Sequence, residues 1–70
     1  MNAFRGDGGV NRIREVMKKK GMNQKDLAEK VGIDQGTLSK IINGKKEITL
    51  KTARKLSDAL GFGIDYLWPN

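Results

Sequence analysis

The segment Gly32–Lys45, "GIDQGTLSKIINGK", decides how this chain is read. Its apolar residues Leu38, Ile41 and Ile42 recur at helical spacing, which predicts one helix face turned toward a core. The other face carries Gly36, Ser39, Lys40 and Asn43, with Gln35 at the leading end, and no acid occurs between Gln35 and Lys46. A helix with small, hydrogen-bonding and basic side chains outward suits a polyanionic surface with polar edges. An acid there would repel phosphates, and a large aliphatic group would leave base-edge polar atoms unpaired.

Working outward, Asp34 is the expected cap of this helix, which spans about 35–43 and stops at Gly44. Before it, Asn23 caps a helix of about 24–31 whose Leu27, Ala28 and Val31 form an apolar stripe. Only "GID" joins the two, with Gly32 at the bend and Ile33 expected as an apolar plug between them. Two helices joined by so short a glycine-containing turn make a helix-turn-helix unit. In that unit the first helix crosses the phosphate backbone and the second lays its N-terminal residues in the major groove.

Further out, Val10, Ile13, Val16 and Met17 predict a first helix of about 10–20, with Arg12, Arg14, Lys18 and Lys19 opposite and Gly21 at its end. "KKEI" reads as a loop. Thr49 caps a fourth helix in which Leu50, Ala53, Leu56 and Leu60 are expected to face inward, closed by Gly61. "GIDYLWPN" supplies one or two helical turns halted by Pro69. Residues 1–9 hold three glycines and no periodicity and are expected to be a flexible arm; 10–68 form the domain, and 69–70 its end. The expected fold is all-α, a compact arrangement of five short helices with no linker.

Composition narrows the function. A chain of 70 residues is one small domain near the lower limit for independent folding, so a partner or a second copy would help. Cysteine is absent, which removes disulfides and zinc-finger spacing and fits a reducing cytosol. Histidine is absent too, and with it the commonest metal ligand and general base. No run approaches the roughly 20 apolar residues of a membrane span. "MNAFRGDGGV" lacks a signal-peptide core, so a cytoplasmic location is expected. Fourteen basic against eight acidic residues give a net charge of +6, which favours polyanionic partners. Catalysis is not indicated: "NGKK" lacks the upstream glycine of a phosphate-binding loop, and "GFG" is an incomplete dinucleotide pattern. Asp26, Glu29, Asp58 and Asp65 fall at caps or on solvent faces. Neither an enzyme activity nor a metal, organic cofactor or small-molecule ligand is expected.

The stretch "NQKDLAEKVGIDQGTLSKIINGK" resembles the helix-turn-helix family of lambda repressor and Cro, small bacterial and phage regulators. The matching positions are Gln24, Leu27, Ala28, Gly32, Ile33, Leu38, Ser39, Asn43, Gly44 and Lys45, and "ITLKTARKLSDALGFGIDYLW" is similar to the family's fourth and fifth helices. The likeness runs over about 10–68. It departs at Ile48, where relatives usually have proline, and at Gly36, where many carry a longer polar side chain. The resemblance implies a sequence-specific, double-stranded-DNA-binding transcriptional regulator, a repressor, paired as a homodimer on a two-fold symmetric operator.

By the same resemblance Gln35, Gly36, Thr37 and Lys40 would read bases, and Gln24, Ser39, Asn43 and Lys45 would hold the DNA backbone. Arg12, Lys25 and Lys46 would join the backbone contacts by charge. Local capping is the alternative for Gln24 and Asn43, a solvated surface position for Gln35, and a tolerated small residue for Gly36. Phe62, Tyr66, Leu67 and Trp68 are the expected dimer surface, the alternative for Trp68 being a place in the core against helix one. A different class of function is a protein-interaction module of this fold, such as the antitoxin of a toxin–antitoxin pair. RNA is disfavoured because Phe4, Phe62, Tyr66 and Trp68 are not interleaved with the basic helix as stacking platforms.

Overall fold

The computed structural model describes residues 11–69. The expected arm, Phe4, Val10 and Asn70 lie outside them. Five helices and no strand occur among the described residues: α1 Ile13–Lys20, α2 Gln24–Val31, α3 Gln35–Ile42, α4 Leu50–Leu60 and α5 Ile64–Leu67. Helix α2 packs on both α3 and α4, and α4 packs on α5.

Three helix starts use the caps expected from sequence. Asn23 Oδ1 accepts from the Asp26 N–H at 2.8 Å, Asp34 Oδ2 from the Thr37 N–H at 3.2 Å, and Thr49 Oγ1 from the Thr52 N–H at 3.2 Å. Each bond satisfies one of the donors that a helix N-terminus leaves unpaired, worth about 0.5–2 kcal/mol. Helix α1 starts three residues later than expected. Asn11 Oδ1 accepts from the Ile13 N–H at 3.1 Å, and the Arg12 N–H donates to the Leu67 carbonyl at 2.8 Å, so these two residues anchor the helix instead of extending it.

Helix α3 ends one residue before the expected Asn43, which becomes its C-cap. Beyond it Gly44 turns left-handed at φ 70°, and the chain closes by two bonds. The Gly44 N–H donates to the Ile41 carbonyl at 3.1 Å and the Lys45 N–H to the Lys40 carbonyl at 2.8 Å. That is a Schellman closure, so "NGK" is first of all a helix stop. Gly32 ends α2 at φ 84°, a conformation in which a β-carbon is strained, and this lets the three-residue turn reverse into α3.

One core holds the helices together. Ile13 and Val16 from α1, Leu27 from α2, Leu38 and Ile41 from α3, and Leu56 and Leu60 from α4 are all essentially sealed from solvent. Each such side chain contributes about 1.5–3 kcal/mol by leaving water. Ile33 is half-buried and packs against this core, as a plug in the turn should. Ile48 is buried as well, so the departure from proline supplies packing. Leu50 breaks the expectation for α4: it is 48% exposed while Ala53, Leu56 and Leu60 point inward. Leu50 opens the helix, whereas Ile48, in the loop before it, is buried in the core.

Candidate nucleic-acid interface

The short turn between α2 and α3 leaves the non-core side of α3 open. Gln35, Gly36 and Lys40 are exposed, as are Asn43 at the cap and Lys45 and Lys46 just beyond; Thr37 and Ser39 are half-buried. Lys25, on the first turn of α2, is exposed and Gln24 beside it is half-buried. Among the described residues, no hydrogen bond or ion pair engages the side chains of Gln24, Gln35, Lys40, Lys45 or Lys46. Three lysines and no acid lie between Gln35 and Lys46, so the surface combines uncommitted amides with uncompensated positive charge.

Asp34 shapes the leading end. Its Oδ1 accepts from the Thr37 hydroxyl at 2.7 Å while Oδ2 accepts from the Thr37 N–H. The Thr37 hydroxyl, then its backbone N–H, hold the Asp34 carboxyl below its ordinary range, so the charge stays on at the helix's positive end. Thr37 was expected to read a base, but the structure commits its hydroxyl proton to this cap. Gly36 also gains a local reason: a β-carbon there would stand 3.2 Å from Asp34 Oδ2, tight enough that the capping carboxylate would have to shift. The missing side chain makes room for the cap.

Two positively charged neighbours part company. Arg12, expected on the DNA backbone, is half-buried with its guanidinium carbon 4.5 Å from the centre of the Tyr66 ring. Arg14, assigned no contact by sequence, is exposed and donates from Nη2 to Asn43 Oδ1 at 3.0 Å. Asn11 Nδ2 reaches the same end of α3, donating to the Ile42 carbonyl at 3.0 Å. These partners lie 29 and 31 residues apart, so no local pattern could have revealed them.

The carboxy-terminal surface is smaller than expected. Leu67 is fully buried and Trp68 is 5% exposed, so both side chains belong to the core of one chain. What remains outward is a half-buried pair, Phe62 and Tyr66, stacked with ring centres 5.0 Å apart. Lys20 Nζ lies 5.9 Å from the Phe62 ring centre, and the Tyr66 hydroxyl donates to Glu15 Oε2 at 3.3 Å.

Residues 13–67 match the sequence profile of the helix-turn-helix family. The chain belongs to that family. It is of the lambda-repressor and Cro type, a group of DNA-binding transcriptional regulators. This helix-turn-helix protein is 37% identical over 57 residues to an uncharacterised HTH-type transcriptional regulator of Archaeoglobus fulgidus, covering 81% of each chain. Its structure is similar to that of the restriction-modification controller protein C.AhdI from Aeromonas hydrophila. That pair has a TM-score of 0.76 and 30% identity over 81% of this chain and 86% of the other. It is similar too to the SinR protein in a SinR/SinI complex, with a TM-score of 0.71 and 29% identity over 77% of this chain and 53% of the other. Among the described residues, no group of three acidic, cysteine or histidine side chains is placed to hold a metal, and no helix is long and apolar enough to cross a membrane.

Proposed function

We propose that this helix-turn-helix protein is a sequence-specific transcriptional repressor that inserts α3 into the major groove of a two-fold symmetric operator. One observation carries the reading: the second helix of a tightly turned pair, with the turn that ends it, exposes Gln35, Lys40, Asn43, Lys45 and Lys46 with no acid among them. Gln35 and Lys40 read base edges, with the bare backbone at Gly36 allowing close approach. Gln24, Lys25, Ser39, Asn43, Lys45 and Lys46 hold phosphates. A homodimer, paired through the Phe62–Tyr66 edge, sets two copies of α3 about 34 Å apart, one turn of DNA. The protein works in the cytoplasm and takes no cofactor.

The test compares a duplex selected from a random pool with an unselected one. Gln35→Ala is expected to lose about 1–3 kcal/mol on the selected site and little on the other. Lys45→Ala is expected to weaken both alike, because a phosphate contact carries no sequence information. If a dimer neutralises about 6–8 phosphates, log affinity falls against log salt with a slope of roughly −5 to −7. A slope near zero removes the DNA reading, and equal losses for Gln35→Ala on both duplexes remove its base-reading role.

A second reading is a protein-interaction module, such as an antitoxin. It is favoured by the similarity to a protein solved in complex with another protein. Affinity for a protein partner without salt-sensitive duplex binding distinguishes it.

A further inference from the structure

Arg14 and Asn43 meet at the C-terminal end of α3, and both are exposed. A guanidinium carries donors only, so the 3.0 Å bond fixes which end of the carboxamide faces it. Asn43 turns its oxygen to Arg14, and its NH₂ group, with two donors, points elsewhere. The partner's chemistry therefore settles an orientation that an isolated asparagine leaves open. Asn11 steadies the same corner, accepting from the Ile13 N–H at the start of α1 while donating to the Ile42 carbonyl of α3. Arg14 follows Ile13 directly, so its backbone is anchored beside the end of α3. A guanidinium at a helix C-terminus is itself favoured by the helix dipole.

We propose that Arg14 is a positioning residue for the DNA contact made by Asn43: it aims the Asn43 NH₂ at a phosphate, and its own remaining N–H groups join as donors to that phosphate. The proposal rests on the DNA-binding reading above. The pair makes a platform of donors alone, which suits a backbone phosphodiester with its two non-bridging oxygens, and the planar guanidinium matches phosphate geometry. Arg12 is not placed to do this, because its guanidinium lies over Tyr66.

The experiment uses the whole chain and a short random-sequence duplex, since a phosphate contact is blind to sequence. Arg14→Ala and Asn43→Ala are each expected to weaken binding roughly tenfold, as loss of a charge-assisted or phosphate hydrogen bond does. The double variant is expected to lose no more than about twentyfold, against about a hundredfold for independent contacts. Asn43→Asp keeps the acceptor for Arg14 but turns an anionic oxygen toward the phosphate, so it binds more weakly than Asn43→Ala. In the free protein, nitrogen-15 spectra of Arg14→Ala are expected to show the Asn43 side-chain amide signals moving while the backbone amides of the core helices stay in place, a readout that simple loss of fold would not give. Additive losses, unmoved Asn43 amide signals, or Asn43→Asp binding as well as Asn43→Ala each overturn the positioning role. A wild-type chain with no salt-sensitive binding to duplex overturns the DNA reading together with it.

Discussion

The outer face of α3 and the seam where residues 12–20 meet residues 62–66 treat their surface side chains in opposite ways. Both carry cations and polar groups at the surface. Along the seam those groups are engaged: Arg12 over Tyr66, Tyr66 stacked on Phe62, Lys20 beside Phe62, and the Tyr66 hydroxyl on Glu15. On α3, Gln35 and Lys40 form no side-chain hydrogen bond among the described residues, and the lysines that follow are likewise open. A donor, acceptor or ring face already engaged must lose that interaction before it can bind anything else, whereas an open one is ready. Local stability has been concentrated on one flank, and capacity for DNA left on the other.

The largest expected effect concerns the seam. Trp68→Ala is expected to destabilise the fold by about 3–5 kcal/mol, measured by denaturant unfolding, since it empties a large buried site. Against a total of about 5–15 kcal/mol for a domain, that leaves little. A variant that stays fully stable but loses a dimer in sedimentation would move Trp68 from the core to an interface.

A smaller effect separates the two flanks directly. Arg12→Ala is expected to lower stability by about 0.5–1 kcal/mol through the lost cation–π contact. It should leave the salt slope of duplex binding as it was. Lys45→Ala is expected to do the reverse, with unchanged unfolding and a slope lower by about 1 for each copy on the DNA. If Arg12→Ala also reduces the slope, the seam is part of the binding surface and the division fails.

The smallest effect tests whether Asp34, between the two helices of the pair, belongs with the engaged groups. Its folded pKa is depressed by Thr37, so its contribution to stability is complete above the ordinary carboxylate range and is lost as pH falls through that range and below. Asp34→Ser keeps a capping oxygen without the charge. The stability gap between wild type and this variant is expected to be widest near neutral pH and to shrink below about pH 4. A gap that does not change with pH would mean that the carboxylate acts only as a neutral acceptor would.

Much of the fold was legible because it is written locally. Asn23, Asp34 and Thr49 act within three residues of themselves, and Gly32 and Gly44 set turns by their own backbone freedom. Periodicity likewise found the core faces of α2 and α3. It misjudged Leu50 because a periodic stripe does not reveal where packing ends along a helix; Leu50 is exposed there, while Ile48 in the loop before it is buried. The candidate site was less legible wherever a role depends on distant partners. Arg12 and Arg14 look equivalent in sequence, two basic residues one position either side of Ile13. Tyr66, far along the chain, takes the first, and Asn43 takes the second. Thr37 fell between these cases: its neighbour Asp34 was read as a cap, but the hydroxyl's part in that cap was not.

The bond from the Arg12 N–H to the Leu67 carbonyl has a topological consequence. Although 55 positions apart, counted as 67 minus 12, these residues sit in register, so the path of the chain through the five helices is almost a closed ring. Covalent closure there would ask the folded backbone to travel very little, while removing from the unfolded chain the freedom of two separate ends. The same geometry means that anything tethered beyond residue 12 or beyond residue 67 departs from one shared corner of the molecule.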